Sequence, residues 1–123
     1  AISADGNLRK RKTIFKEIGE LRIKESDRIF TLCAELRKFG VKVRELKNGM
    51  VVYGNSKIEG CKSISYGDHR IAMSMSILGL VASGRTKIIN TACIKTSFPE
   101  FERILKKLSQ YPRQKTSGCK HYY

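Results

Sequence analysis

The sequence lacks any long uninterrupted apolar run. Its longest apolar stretch, Ile71–Ala82, is broken by Ser74, Ser76 and Gly79, whereas a membrane-spanning helix needs about 20 mainly apolar residues. The opening AISADGNLRKRK has no apolar core of the kind a cleavable signal peptide carries, so none is expected. Cysteine occurs only as Cys33, Cys61, Cys93 and Cys119, with no CxxC pair. Only His69 and His121 could join them as soft ligands, so zinc-site spacing is absent and no metal is implied. Without a secretory signal, a reducing, cytoplasmic compartment is the expectation. Tryptophan is missing, aromatics are scattered, and no RGG, KH or zinc-finger pattern appears, which argues against a nucleic-acid-binding module. Acidic residues are scarce: 11 Asp and Glu face 25 Lys and Arg.

The resulting net charge of +14 should draw polyanions, whether nucleic acid, an anionic membrane or a phosphorylated small molecule. Charge alone does not choose among them, and a merely basic solvated surface fits as well. A basic nucleic-acid-binding module therefore stays as the alternative reading. The length of 123 residues bounds the chain to one domain or a piece of one. Apolar residues at 41% and charged residues at 29% give an ordinary globular balance.

Residues 1–12 read as a basic lead-in with a turn signal at Asp5-Gly6-Asn7. Thr13–Ile18 has strand-like composition. From Ser26 to Phe39, Ile29, Leu32, Cys33, Leu36 and Phe39 recur on one helical stripe. Ser26 or Asp27 can cap its start and Gly40 can stop it. Cys33 on that stripe reads as core. Val41–Arg44 alternates as a half-buried strand, and Asn48-Gly49 marks a hairpin into Met50–Tyr53. Gly54-Asn55-Ser56 and Glu59-Gly60 mark further turns. Ser63–Tyr66 is a short strand candidate. Asp68–Ala82 reads as a second helix, apolar almost all round and therefore buried, with Gly84 as its stop. Thr86–Ile89 is another strand. Ser97 and Glu100 have capping-box spacing for a third helix with Pro99 in its first turn. Residues 111–123 read as a tail without periodicity. The expected fold class is α/β, an α+β layered arrangement with helices on a small sheet, made by two passes of strand, polar turn, helix, strand.

Two clusters carry chemistry. Arg22, Lys24, Glu25, Asp27 and Arg28 crowd five charges into seven residues ahead of the first helix. An extended segment across Arg22 and Lys24 would aim both the same way. Helix-start amides favour an anion, and Arg28 could grip a carboxylate or phosphate with two parallel hydrogen bonds. Glu25 between Lys24 and Arg28 could move protons. Asp68-His69-Arg70 repeats the theme: Asp68 caps, His69 can exchange a proton near neutral pH, and Arg70 suits an oxyanion. A helix start with local ion pairs accounts for the same residues without any ligand.

The blocks ELRIKESDRI, YGDHRIAMS and SFPEF, in this order, resemble the 5-enolpyruvylshikimate-3-phosphate synthase family, from about Thr13 to about Leu108. The sibling UDP-N-acetylglucosamine enolpyruvyl transferases differ in both charged blocks. The resemblance implies the enolpyruvyl transferase fold, an inside-out α/β barrel of βαβαββ-type units. Residues 13–110 would be a partial C-terminal domain and 111–123 a flexible tail. It implies transfer of the enolpyruvyl group of phosphoenolpyruvate to the 5-hydroxyl of shikimate 3-phosphate, releasing phosphate, in the shikimate pathway, without metal or organic cofactor. Lys24 would contact shikimate 3-phosphate, Arg28 and Arg70 would clamp phosphoenolpyruvate, Glu25 would take part in proton transfer, and His69 would hydrogen-bond near the reacting phosphate.

Members often have a Lys two residues before the Phe-Pro pair. That position is Thr96 here, with Lys95 one residue earlier, where a strand-end bulge would bring it into place. Glu20 stands where some members have Asn. The N-terminal domain and an essential Asp upstream of the Glu-Leu-Arg block have no counterpart, and Asp5 lacks the matching context. Half a clamp cannot desolvate and orient two substrates, so the expectation for this chain alone is negligible turnover, with the N-terminal domain of the same enzyme as the absent partner, and no nucleic acid or membrane.

Overall fold

A computed structural model describes residues 11–54, 57–110 and 120–122. The expectations at Asp5–Asn7, Asn55-Ser56 and Cys119 lie outside them. Where the sequence reads one partial domain over 13–110, the described backbone gathers into two compact units, one through Ile58 and the other from Glu59.

In the first unit, β1 (Lys12–Phe15), α1 (Arg28–Lys38), β2 (Val43–Leu46) and β3 (Gly49–Tyr53) follow one another, with a 3-10 turn at Gly19–Ile23 between β1 and α1. β3 lies in the middle of the sheet, antiparallel to both neighbours: Lys12 faces Tyr53 on one side and Val43 faces Val52 on the other. β1 and β2 therefore run in the same direction, with α1 as the crossover between them. The strand expected over Thr13–Ile18 ends early because Glu17 turns out at φ 56° and the chain enters the 3-10 turn. α1 ends as its glycine foretells. Gly40, at φ 88°, donates to the Arg37 carbonyl at 3.0 Å, and Val41 donates to that of Leu36 at 3.0 Å. This double closure is the Schellman ending. It consumes Val41, so β2 starts two residues later than the alternation predicts. Ile29, Cys33, Phe39 and Val41 form the buried centre of the unit, with Cys33 in the core as its stripe implies.

In the second unit, β4 (Lys62–Ile64), β5 (Arg85–Ile89) and β6 (Lys120–Tyr122) are parallel in that order. Parallel neighbours need crossovers. α2 (His69–Val81) supplies the first, and α3 (Ala92–Ser97) with α4 (Phe101–Ser109) lies in the second. The small sheet expected of the whole chain is thus two three-stranded sheets, one per unit. Within the span read as a tail, Lys120–Tyr122 forms a strand, which three residues without periodicity do not announce; 111–119 and 123 lie outside the described residues.

Two helix expectations need correction. α2 buries Ile71, Ala72, Met75, Ser76 and Gly79 on one side, but Ile77 and Val81 are 52% and 57% exposed. An all-apolar sequence cannot tell which side a helix lays against its sheet. The capping box at Ser97 does not form either. Ser97 is the last residue of α3, Phe98 donates back to the Ile94 carbonyl at 2.7 Å, and Glu100, the N-cap residue of α4, makes no side-chain cap bond. Pro99 has no N–H to continue α3, so the chain breaks there and restarts at Phe101.

Candidate active-site loops

The first loop is built around Asp27. Its carboxylate accepts from the Phe30 N–H at 3.0 Å, which caps α1, and its carbonyl accepts from the Thr31 N–H and hydroxyl at 2.9 and 3.0 Å. Arg28 is the first residue of α1 and is buried. Its Nη2 donates to Glu25 Oε1 at 2.9 Å, while the Glu25 side chain stays 52% exposed. This pair sets an exposed carboxylate against a buried guanidinium in a charge-assisted hydrogen bond. Lys24 and Glu20 are exposed.

Arg22 departs from its expected direction. The 3-10 turn, closed by the Leu21 N–H on the Ile18 carbonyl at 3.0 Å, replaces the extended segment. Arg22 consequently folds back onto the β2–β3 hairpin, away from Lys24. The hydrogen bonds that Arg22 donates to Asp27 and then to Glu45 raise its pKa above the ordinary value against the effect of burial. Burial pushes the Asp27 carboxyl up, but the Phe30 N–H, the Arg22 hydrogen bond and the Arg22 charge outweigh it and hold it below its ordinary range. Burial, then the nearby Glu45 charge, pushes the Cys33 thiol up.

The second loop precedes α2. Asp68, fully buried, caps the helix by accepting from the Arg70 N–H at 3.0 Å, as its position predicts. Tyr66 and Gly67 both have positive φ, 58° and 73°, and the Asp68 N–H closes the turn on the Ser65 carbonyl at 3.0 Å. His69 is half-buried and Arg70 exposed, at the first and second positions of α2. Lys95 and Thr96 are exposed on α3. No strand-end bulge exists there to shift Lys95, because the segment is helical. Each cluster is thus assembled within its own unit: Lys24, Glu25 and Arg28 in the first, His69 and Arg70 in the second. Sequence reasoning misses Ser65, a buried hydroxyl tying the second loop to Asn90. A lone serine in a strand carries no signal for such a role.

The family model of EPSP synthase (3-phosphoshikimate 1-carboxyvinyltransferase) matches residues 2–105. The chain belongs to the EPSP synthase family. The 3-phosphoshikimate 1-carboxyvinyltransferase of Geotalea uraniireducens is 50% identical over 97 residues, which are 79% of this chain and 23% of that protein. That of Akkermansia muciniphila is 47% identical over 104 residues, 85% of this chain and 24% of its own length. A solved EPSP synthase of Acinetobacter baumannii superposes with a TM-score of 0.72 at 34% identity, covering 78% of this chain and 23% of that one. The chain therefore spans about a quarter of the length of the EPSP synthases it matches. Its mixed α/β elements are those of the enolpyruvyl transferase fold, as the resemblance implied. Family membership displaces the nucleic-acid-binding alternative. No helix among the described residues is long and apolar enough to cross a membrane.

Proposed function

We propose that this chain supplies part of the active site of an enzyme that transfers the enolpyruvyl group of phosphoenolpyruvate to shikimate 3-phosphate. The remainder of the enzyme, including an N-terminal domain, is the partner that completes it. In this reaction the phosphoenolpyruvate methylene gains a proton, the 5-hydroxyl loses its proton as its oxygen bonds to C2, and loss of phosphate from C2 with a proton from the new methyl group restores the double bond. The Glu25–Arg28 pair at the start of α1 carries the reading. Glu25 takes part in the proton transfers, and Arg28 and Arg70, each from its own unit, are the guanidinium ligands proposed for the phosphate and carboxylate of phosphoenolpyruvate. Lys24 receives shikimate 3-phosphate, and His69 donates near the departing phosphate. Glu20, Lys95 and Thr96 stand at the rim as lesser substrate contacts. Among the described residues Cys33, Cys61 and Cys93 form no disulfide, which suits a reducing compartment such as the cytoplasm.

The test joins this chain in frame to the remainder of the Geotalea uraniireducens relative and assays phosphate release. The fusion should turn over, and Glu25→Gln or Arg28→Ala should each lower kcat at least about a hundredfold. Turnover by the fusion that survives both substitutions refutes the assignment. This chain without the remainder should release no measurable phosphate.

A further inference from the structure

Arg22 stands in the charged block ahead of α1, where the family resemblance gives it no role, and its geometry gives it one. A guanidinium has five N–H donors. Nε donates to the Lys47 carbonyl at 2.8 Å. Nη1 meets both Asp27 carboxylate oxygens at 3.1 and 2.9 Å. Nη2 donates to the Leu46 carbonyl at 2.7 Å and lies 2.9 Å from Glu45 Oε2. Asp27 on one side and the Leu46 and Lys47 carbonyls with Glu45 on the other thus hold the guanidinium from two directions.

The partners fall into two sets. Lys47 and Leu46 offer backbone carbonyls at the β2–β3 hairpin, which the strand ladder fixes. Asp27 is fixed from the other side by capping α1. Residues Ile23–Ser26 therefore form a short loop whose two ends are clasped together through one side chain. That loop displays Lys24 and Glu25, and Arg28 follows it directly.

We infer that the Arg22–Asp27 clasp holds the Ile23–Ser26 loop in the shape that presents Lys24 and Glu25 to substrate, making Arg22 a positioning residue. The inference deepens the proposed function and rests on it for the identity of the ligand, but not for the clasp. Arg22 acts through loop order and contacts neither substrate. Lysine cannot replace it, because one ammonium cannot span Asp27, Glu45 and two carbonyls in a planar fork.

The experiment uses the full 123-residue chain with Arg22→Lys and, separately, Asp27→Asn. Asparagine keeps a cap acceptor for the Phe30 N–H while removing the charge that Arg22 holds. Two quantities are read by NMR: amide order parameters over Ile23–Ser26, and the phosphoenolpyruvate concentration that half-saturates the shift of the Arg28 amide. In both variants the loop amides should drop from about 0.85 to below about 0.6 while α1 and β2–β3 hold their values. Half-saturation should rise about tenfold, the loss expected for a charge-assisted hydrogen bond. Unchanged loop order overturns the clasp. A loosened loop with unchanged half-saturation overturns the positioning role and leaves Arg22 merely structural. If the unsubstituted chain shows no shift with phosphoenolpyruvate, the ligand assignment fails, and loop order alone decides the clasp. If Arg22→Lys does not fold, Asp27→Asn decides between these outcomes.

Discussion

Ser65 and Asn90 are joined by a 2.7 Å hydrogen bond from the serine hydroxyl to the asparagine carbonyl. The same hydroxyl accepts from the Gly67 N–H at 3.0 Å. One buried side chain thus links the turn before α2 to the turn after β5, the two places where Tyr66 and Asn90 hold positive φ, 58° and 66°. Ser65→Ala leaves the Gly67 N–H without its side-chain acceptor and the Asn90 carbonyl with only the weaker Cys93 thiol at 3.5 Å. Chemical denaturation should show a loss of about 1–3 kcal/mol. A change within about 0.5 kcal/mol would mean that neither group depends on the hydroxyl.

Glu17 sits exposed at φ 56° between β1 and the 3-10 turn. Side chains with a Cβ carry about 1–2 kcal/mol of strain there, and glycine returns roughly 0.5–1 kcal/mol of that through its freer unfolded chain. Glu17→Gly should therefore stabilise by about 0.5–1 kcal/mol, seen as a raised Tm. A lowered Tm would mean that the glutamate side chain makes a compensating contact.

Gly49 opens β3, and a Cβ built on it would lie 2.0 Å from the Phe15 carbonyl oxygen across the strand pair. The obstacle is backbone, which cannot swing aside. Gly49→Ala should cost at least about 2 kcal/mol by separating β1 from β3. The Asn48-Gly49 hairpin signal is thus sound in place but not in reason: Gly49 is needed for close approach, and positive φ at glycine falls at Gly40, Gly67 and Gly84 among the described residues.

The pH dependence follows from Asp27. Its carboxyl is held below the ordinary value of 3.8 in the folded chain. A group with a depressed folded pKa contributes stability above its unfolded pKa and loses it as pH falls through the folded one. The stability gap between the unsubstituted chain and Asp27→Asn should be constant from neutral pH down to about 5 and close below about 4. Thermal melts from pH 7 to pH 3 measure it. A gap that widens on acidification would reverse the sign assigned to this group.

Much of the fold is legible along the chain. The stripe from Ile29 to Phe39 is α1, the caps Asp27 and Asp68 act as caps, and Gly40 ends its helix, because each rests on contacts within four residues along the chain. The charged blocks are equally plain. The direction of Arg22 is not legible, because besides Asp27, five residues on, two of its partners lie 24 and 25 residues away on a hairpin that no local pattern links to it. The α3–α4 break at Pro99 escapes the pattern because Ser97 and Glu100 satisfy a capping spacing that the end of α3 pre-empts. Exposure of Ile77 and Val81 is invisible because α2 is apolar in every direction.

The sequence by itself determined the family, two helices that open near Ser26–Asp27 and at Asp68, and the residue types at the two loops, since short-range spacing and side-chain chemistry are written along the chain. Only the tertiary structure decided that Arg22 is spent on Asp27 and Glu45, that Ser65 ties two strained turns together, and that Lys120–Tyr122 joins a parallel sheet. Apart from Asp27, the groups involved are remote in sequence and meet only once the chain has folded. A hydrogen bond is set by where its two atoms end up, not by how many residues separate them.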